Sequence, residues 1–278
     1  MKKSLFTLAL SLGLVSLISA QYISEFEPNP AGGDPDDTTI EIGGGTPSAA
    51  FDLWVLSIEN DGFNGLVDRF SNVTGSYDAN GMAVVMVPDL ENPSFTLVLT
   101  DSFTGDNDTD IDPADDGVLV TTSMGTILDA IGVSDAESDD VSMYGVLLGG
   151  SNVLYNGQFE PLLVFRDSGD MTLYNTVTVN FGDPDEYVGV FTADGTEVQA
   201  SSFDIDPTTG PTYGSTNPAM AATWMGYAIM DGWVDTGDWL GKVYVADAPW
   251  IYVYDTMSWM LAPDEGMLDM GNWVYLPM

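Results

Sequence analysis

From Gln21 onward the apolar residues fall in short runs of β-forming type, each closed by Gly, Asp, Asn or Pro. Long stretches with a 3.6-residue period are missing, so strands rather than helices are expected. The runs predict strands at Tyr22–Phe26, Thr39–Ile42, Phe51–Ile58, Met82–Val87, Thr96–Leu99, Val118–Thr121, Leu162–Phe165, Thr176–Phe181 and Val188–Phe191. A short helix is expected over Met124–Ile131, and Ala193-Asp194-Gly195-Thr196 reads as a hairpin turn. Many short strands joined by turn chemistry predict an all-β fold, a sandwich or a barrel. Alternation nominates Ile23, Phe26, Ile40, Ile42, Leu53, Trp54, Val84 and Val85 for its core.

The pattern changes after the Ser-, Thr-, Pro- and Gly-rich stretch SSFDIDPTTGPTYGSTNP, which starts at Ser201. Before residue 216 the chain carries 35 of its 43 acids and one tryptophan, Trp54. After it come eight acids and the other six tryptophans, Trp224, Trp233, Trp239, Trp250, Trp259 and Trp273. The organisation expected is a leader over 1–20, a β-sandwich domain over 21–217 and a Trp- and Tyr-rich β-meander over 218–278. Strands in the meander are expected at Trp224–Ile229, Trp233–Asp235, Lys242–Val245, Trp250–Tyr254, Trp259–Leu261 and Trp273–Leu276.

Two readings of the late tryptophans stay open. A module of about 60 residues is hard to stabilise by ordinary burial, and each aromatic ring buries a large area, so the rings can form its core. Alternatively some rings stay outside and stack on the sugars of a glycan or envelope component. In WIYVYDTMSW a period of two puts Trp250, Tyr252 and Tyr254 on one face. Trp250, Tyr252, Tyr254 and Trp259 are therefore the expected glycan contacts. A sorting signal read by a secretion system is a third use of the tail.

Charge narrows the choices. MKKSLFTLALSLGLVSLISA reads as a secretory leader cut after Ala20. No later apolar stretch reaches membrane-spanning length, so no transmembrane segment is expected once the leader is gone. Without the leader lysines, only Arg69, Arg166 and Lys242 oppose 43 acids, a net charge of −40. Such a chain lacks the cationic surface that displaces counterions from phosphates, which excludes nucleic acid as a partner. Self-repulsion of this size is relieved by salt or by bound divalent cations. The chain has no His and no Cys. That removes zinc, copper, Cys- or His-based catalysis and disulfide bracing.

The densest acidic run is GDNDTDIDPADDG, residues 105–117. Asp106, Asp108, Asp110 and Asp112 alternate and are followed by Asp115 and Asp116, a supply of oxygens of the kind calcium takes from a turning loop. It is not an EF-hand, because Pro113 stands at the loop-glycine position and Leu119 does not match its final Glu. Calcium is the expected ion at these six residues, against the alternative of a solvated acidic loop. Asp34, Asp36 and Asp37, and Asp204 with Asp206, are weaker candidates. A glycosidase needs only two carboxylates, but their abundance here nominates no pair. There is no Gly-x-Ser-x-Gly elbow and no phosphate loop.

Three stretches carry a family resemblance. YISEFEPNPAGGDPDDTTIEI (22–42), FDLWVLSIEND (51–61) and YDANGMAVVMVPD (77–89) resemble the opening strands and hairpin of secreted bacterial lamin tail domains. DIDPADDGVL, ILDAIGVSD and the stretch after Ser201 resemble later parts of the long variants, so the likeness covers roughly 22–217. It implies an immunoglobulin-like β-sandwich that serves as a non-catalytic appendage of secreted and surface proteins. The Trp-Val-Tyr tail resembles tails of secreted Gram-negative proteins. The function expected is a secreted, non-catalytic extracellular or cell-surface adhesion module, calcium-stabilised, whose tail contacts glycan or envelope; the alternative is a carboxylate-based hydrolase.

Overall fold

The computed structural model describes residues 21–261 except 33–34, 63, 91–93, 181, 183–185, 222, 225–226, 231, 238–239 and 246–249. For Ala228, Met230, Trp250, Met260 and Leu261 it describes the backbone. The chain is all-β, a two-sheet sandwich followed by a meander. The first sheet holds β1 (Tyr22–Phe26), β2 (Asp37–Gly43), β5 (Ala83–Pro88), β10 (Leu163–Arg166), β11 (Leu173–Val177), β12 (Gly189–Thr192) and β13 (Glu197–Val198). Its order is β13-β12-β11-β10-β1-β2-β5. The second holds β3 (Ala50–Glu59), β4 (Leu66–Ser76), β6 (Phe95–Thr100), β7 (Thr109–Asp110), β8 (Ile127–Val133) and β9 (Ser151–Val153), in the order β7-β4-β3-β6-β8-β9. All pairs are antiparallel except β8 with β9.

Three apolar layers explain why so many strands read as continuous runs instead of clean alternations. The central layer joins the sheets through Ile23, Phe26, Ile40, Ile42, Leu53, Val55, Phe95, Leu97, Leu99 and Ile131. A second layer covers the outside of the second sheet, where Leu56, Ile58, Val98 and Ala130 meet Phe103, Ile111, Met124 and Tyr144 from the long connections. A third covers the outside of the first sheet, where Leu163, Phe165, Tyr174 and Val190 meet Phe203 and Met220 from the closing stretch. All six residues of β6 are consequently buried.

Several expectations change. The segment given to a helix over Met124–Ile131 instead forms β8, paired with β6 from Phe95↔Val133 to Thr100↔Ile127. Its local pattern is ambiguous, and the β6 ladder decides it. Val118–Thr121 is not a strand but an exposed loop. LVDRFSNVTGS gives no strong signal, yet it forms β4 along the length of β3, because a partner strand supplies the hydrogen bonds its polar residues do not predict. Trp54 points away from the central layer and packs in the second, its ring 6.0 Å from both Phe70 and Phe103. Val84 also faces outward and is 46% exposed, since β5 alternates strictly. The hairpin at 193–196 forms between β12 and β13, with Gly195 at φ +84°.

Arg166 ties the two sheets together. Its guanidinium reaches both oxygens of Asp129 on β8, at 3.0 and 2.9 Å, and the carbonyl of Ile23 at 3.0 Å. Asp129 also accepts from the Ile23 amide at 2.8 Å. The carboxylate held is that of Asp129, across the sandwich, rather than that of the adjacent Asp167.

The sandwich contacts continue to Ala221, whose amide donates to Ser202, and the meander begins at Thr223. It runs β14 (Thr223–Trp224), β15 (Tyr227–Met230), β16 (Trp233–Asp235), β17 (Lys242–Tyr244), β18 (Trp250–Val253) and β19 (Ser258–Leu261), each strand beside the next. The strand expected at Trp224–Ile229 is split into β14 and β15, and Trp273–Leu276 lies outside the described residues.

Candidate functional site

The meander sorts its side chains by face. Val234, Val243, Val245, Ile251 and Val253 are buried on one side, with Trp224, Ile229 and Leu240 packed against them. The core is therefore aliphatic. The other positions carry rings. Strand register places Trp233 beside Tyr244, Tyr244 beside Tyr252, and Tyr252 beside Trp259. Four rings on four adjacent strands make a row about 14 Å long at the usual strand spacing. Trp233 and Tyr244 are 5.1 Å apart at centroid with a 56° tilt; Tyr252 and Trp259 are 5.3 Å apart with a 57° tilt. Together the four line an open hollow of about 320 Å³. Trp259 is 44% exposed.

Of the four residues nominated from sequence, Tyr252 and Trp259 lie in the row. Tyr254 follows β18 in a turn, 56% exposed, and meets the Trp233 ring edge-on at 6.3 Å. Trp250 opens β18 opposite Leu261, and its side chain lies outside the described residues. Trp233 and Tyr244 were missed. Their signal was the period of two in WVD and KVY, which pairs each ring with an exposed charge, Asp235 and Lys242. Those two charges are cross-strand partners on the next rung. Such a surface offers π faces that can stack on a flat apolar face.

The acidic run 105–117 is organised around its own backbone. Asp112 is 3% exposed, and its carboxylate accepts from the amides of Asp116 and Gly117 at 3.2 and 3.0 Å and from the Tyr144 hydroxyl at 3.2 Å. Asp110 accepts from the Asp112 amide, Asp106 from Thr109, and Asp116 from the Val118 amide. Asp108 and Asp115 adopt positive φ, 69° and 49°, as turn residues. Asp112, Asp115 and Asp116 line one cleft with Asn64 and Tyr144. Among the described residues, however, no group of three or more Asp or Glu is placed to hold a metal ion. Asp204 accepts from the Ala219 amide and Asp206 caps the turn Pro207–Thr209. Asp36 and Asp37 flank the start of β2, and Asp34 lies outside the described residues.

A pair of glutamates escaped notice in the sequence. Glu25 and Glu41 are cross-strand partners on β1 and β2, and both are fully buried. The closing stretch covers them. Thr212 donates its amide to both oxygens of Glu25 at 2.9 Å, and the Gly214 amide donates to Glu41 at 2.7 Å. Asn217 extends the clamp to the carbonyls of Ser24 and Arg166 and to the Ser24 hydroxyl, each at 3.0 Å. Tyr213 donates to the Thr39 carbonyl at 2.9 Å. Burial pushes the Glu25 carboxyl up to about 7, against the lowering effect of the Thr212 amide and with a further rise from Glu41. Burial also raises Glu41. The beginning of the chain and the end of the sandwich are thus stapled through acids in a sealed layer.

No family model, no curated protein and no solved structure matches this chain.

Proposed function

We propose that this protein is a secreted, non-catalytic extracellular or cell-surface binding module, a lamin-tail-type sandwich presenting a meander that contacts glycan. The single observation that carries the reading is the row Trp233–Tyr244–Tyr252–Trp259, which leaves its rings accessible while Val and Ile fill the core on the opposite face. Large apolar rings kept at a surface are a feature of interaction sites. The leader pattern and the net charge of −38 fit an extracellular location. The two stacked sheets agree with the sandwich that the lamin-tail likeness implies. Glu25 and Glu41 themselves lie under the chain instead of in a cleft, so that pair is not a hydrolase's.

Affinity electrophoresis of the mature protein through gels holding a panel of soluble polysaccharides tests the reading. Retardation by at least one glycan, relieved in Trp259→Ala, is expected. Free migration through every gel would end it.

A further inference from the structure

The glycan-binding reading leaves open which chemistry of glycan the row accepts. Length, polarity and charge each restrict it. Cation–π attraction acts within about 6 Å of a ring centroid, whereas the row is about 14 Å long. A single compact cation cannot engage both Trp233 and Trp259. A ligand that engages all four rings is therefore elongated and crosses the strands, meeting one ring after another.

The polarity of the hollow sets the face that the ligand offers. Among the described residues its lining is the four rings. A hexose with equatorial hydroxyls turns a patch of C–H groups toward such a surface and keeps its hydroxyls at the rim. A sugar with an axial hydroxyl keeps such a patch on one face only; turned the other way, as in a chain whose units alternate, it presses a polar group onto the rings, where that group loses hydrogen bonds to water without replacement.

Charge then separates neutral from acidic polymers. Lys242 is the only base in the meander sequence. It sits one rung beyond the row, paired across the strands with the exposed Asp235. Asp255 lies close by, since its carboxylate fills the space a side chain at Gly241 would need, and the Tyr254 amide donates to the Lys242 carbonyl at 2.9 Å. The edge of the face thus carries two acids around one base, on a chain of net charge −38. A polyuronate or sulfated polymer meets those two acids there, with Lys242 the single base beside them, and the acids outweigh it.

Resting on the glycan-binding reading, we infer that the aromatic row is a binding site for uncharged, linear, gluco-configured polysaccharide.

The test uses the full mature chain and two probes, a soluble uncharged β-glucan and an alginate, in affinity gels and by tryptophan fluorescence titration at physiological salt. Trp259→Ala and Tyr252→Ala are run beside it, with far-UV circular dichroism and the melting temperature as checks on folding. Trp259 stands on β19 and is substantially exposed, so its removal leaves a folded control if Tyr252→Ala disrupts the meander. Expected is binding of the β-glucan that weakens about tenfold or more in the variants, with no ring-dependent binding of alginate. Ring-dependent binding of alginate, alone or equal to the glucan, would overturn the uncharged class while keeping a glycan-binding face. Failure of both probes to bind overturns the uncharged gluco-class alone; the wider reading falls only if every polysaccharide of the panel fails as well.

Discussion

Trp54 and Trp259 both stand in antiparallel strands beside other aromatic residues, yet they end in different surroundings. Trp54 on β3 is roofed by the connections that carry Phe103 and Met124. Trp259 on β19 shares its face with Tyr252 and lies open. Much of the sandwich is covered on both faces of its sheets, and the long connections provide the second cover. The meander joins its strands through short turns and has an aliphatic core on one face. In the first region rings add to packing; in the second they make a surface. Aromatic content alone does not tell these uses apart, because the cover comes from distant parts of the chain.

The comparison can be broken most strongly in the sandwich. Phe165 is fully buried between Tyr174 and Phe203. Phe165→Ala should cost about 3–5 kcal/mol, read from denaturant unfolding. A cost below about 1 kcal/mol would mean that the layer under the closing stretch is not a true core.

A somewhat smaller effect is expected from pH. Burial raises the Glu25 carboxyl from its ordinary value near 4.5 to about 7 in the folded protein. The native state therefore holds a proton that the unfolded state gives up in this window. Its stabilising contribution is complete below about 4.5 and is lost as pH rises through about 7, on the order of 3 kcal/mol. Unfolding free energies between pH 4 and 8 should show that decline, and Glu25→Gln should flatten it. An unchanged slope in the variant would assign the decline to general charge repulsion.

In the meander, Ile251→Val should cost about 1 kcal/mol and raise hydrogen exchange in β16–β19 while the sandwich strands stay protected. Loss of protection throughout would show that the two regions unfold as one. Trp259→Ala should shift the unfolding free energy by less, about 0.5 kcal/mol, while weakening the glycan binding proposed for the row. A large destabilisation would make the row structural.

The smallest effect is expected from calcium. Because the Asp106, Asp110, Asp112 and Asp116 carboxylates are engaged by their own loop and the run forms no metal group among the described residues, millimolar calcium should stabilise no more than sodium chloride of equal ionic strength. A calcium-specific rise in melting temperature would show that the loop rearranges around the ion.

Much of this was legible in residue order. Short apolar runs bounded by Gly, Asp and Pro announce strands, and β1, β3, β10 and β16 lie close to where the pattern puts them. The change in composition near residue 216 marks the passage from sandwich to meander. The sequence was silent where a long-range partner decides. β8 looks like a possible helix until β6 is beside it. Glu25 and Glu41 look like surface acids among many until the stretch at Thr212–Asn217 returns to cover them.

The sequence by itself determined that the protein is all-β, strongly acidic, without His or Cys, and rich in aromatic residues at its end. Alternation told which residues of one strand share a face. Tertiary structure decided which face is covered and which rings stand side by side. The reason is physical: side-chain periodicity is a property of a single strand, but burial and register depend on residues far away in the chain. Only when β16, β17, β18 and β19 align do Trp233, Tyr244, Tyr252 and Trp259 become one row.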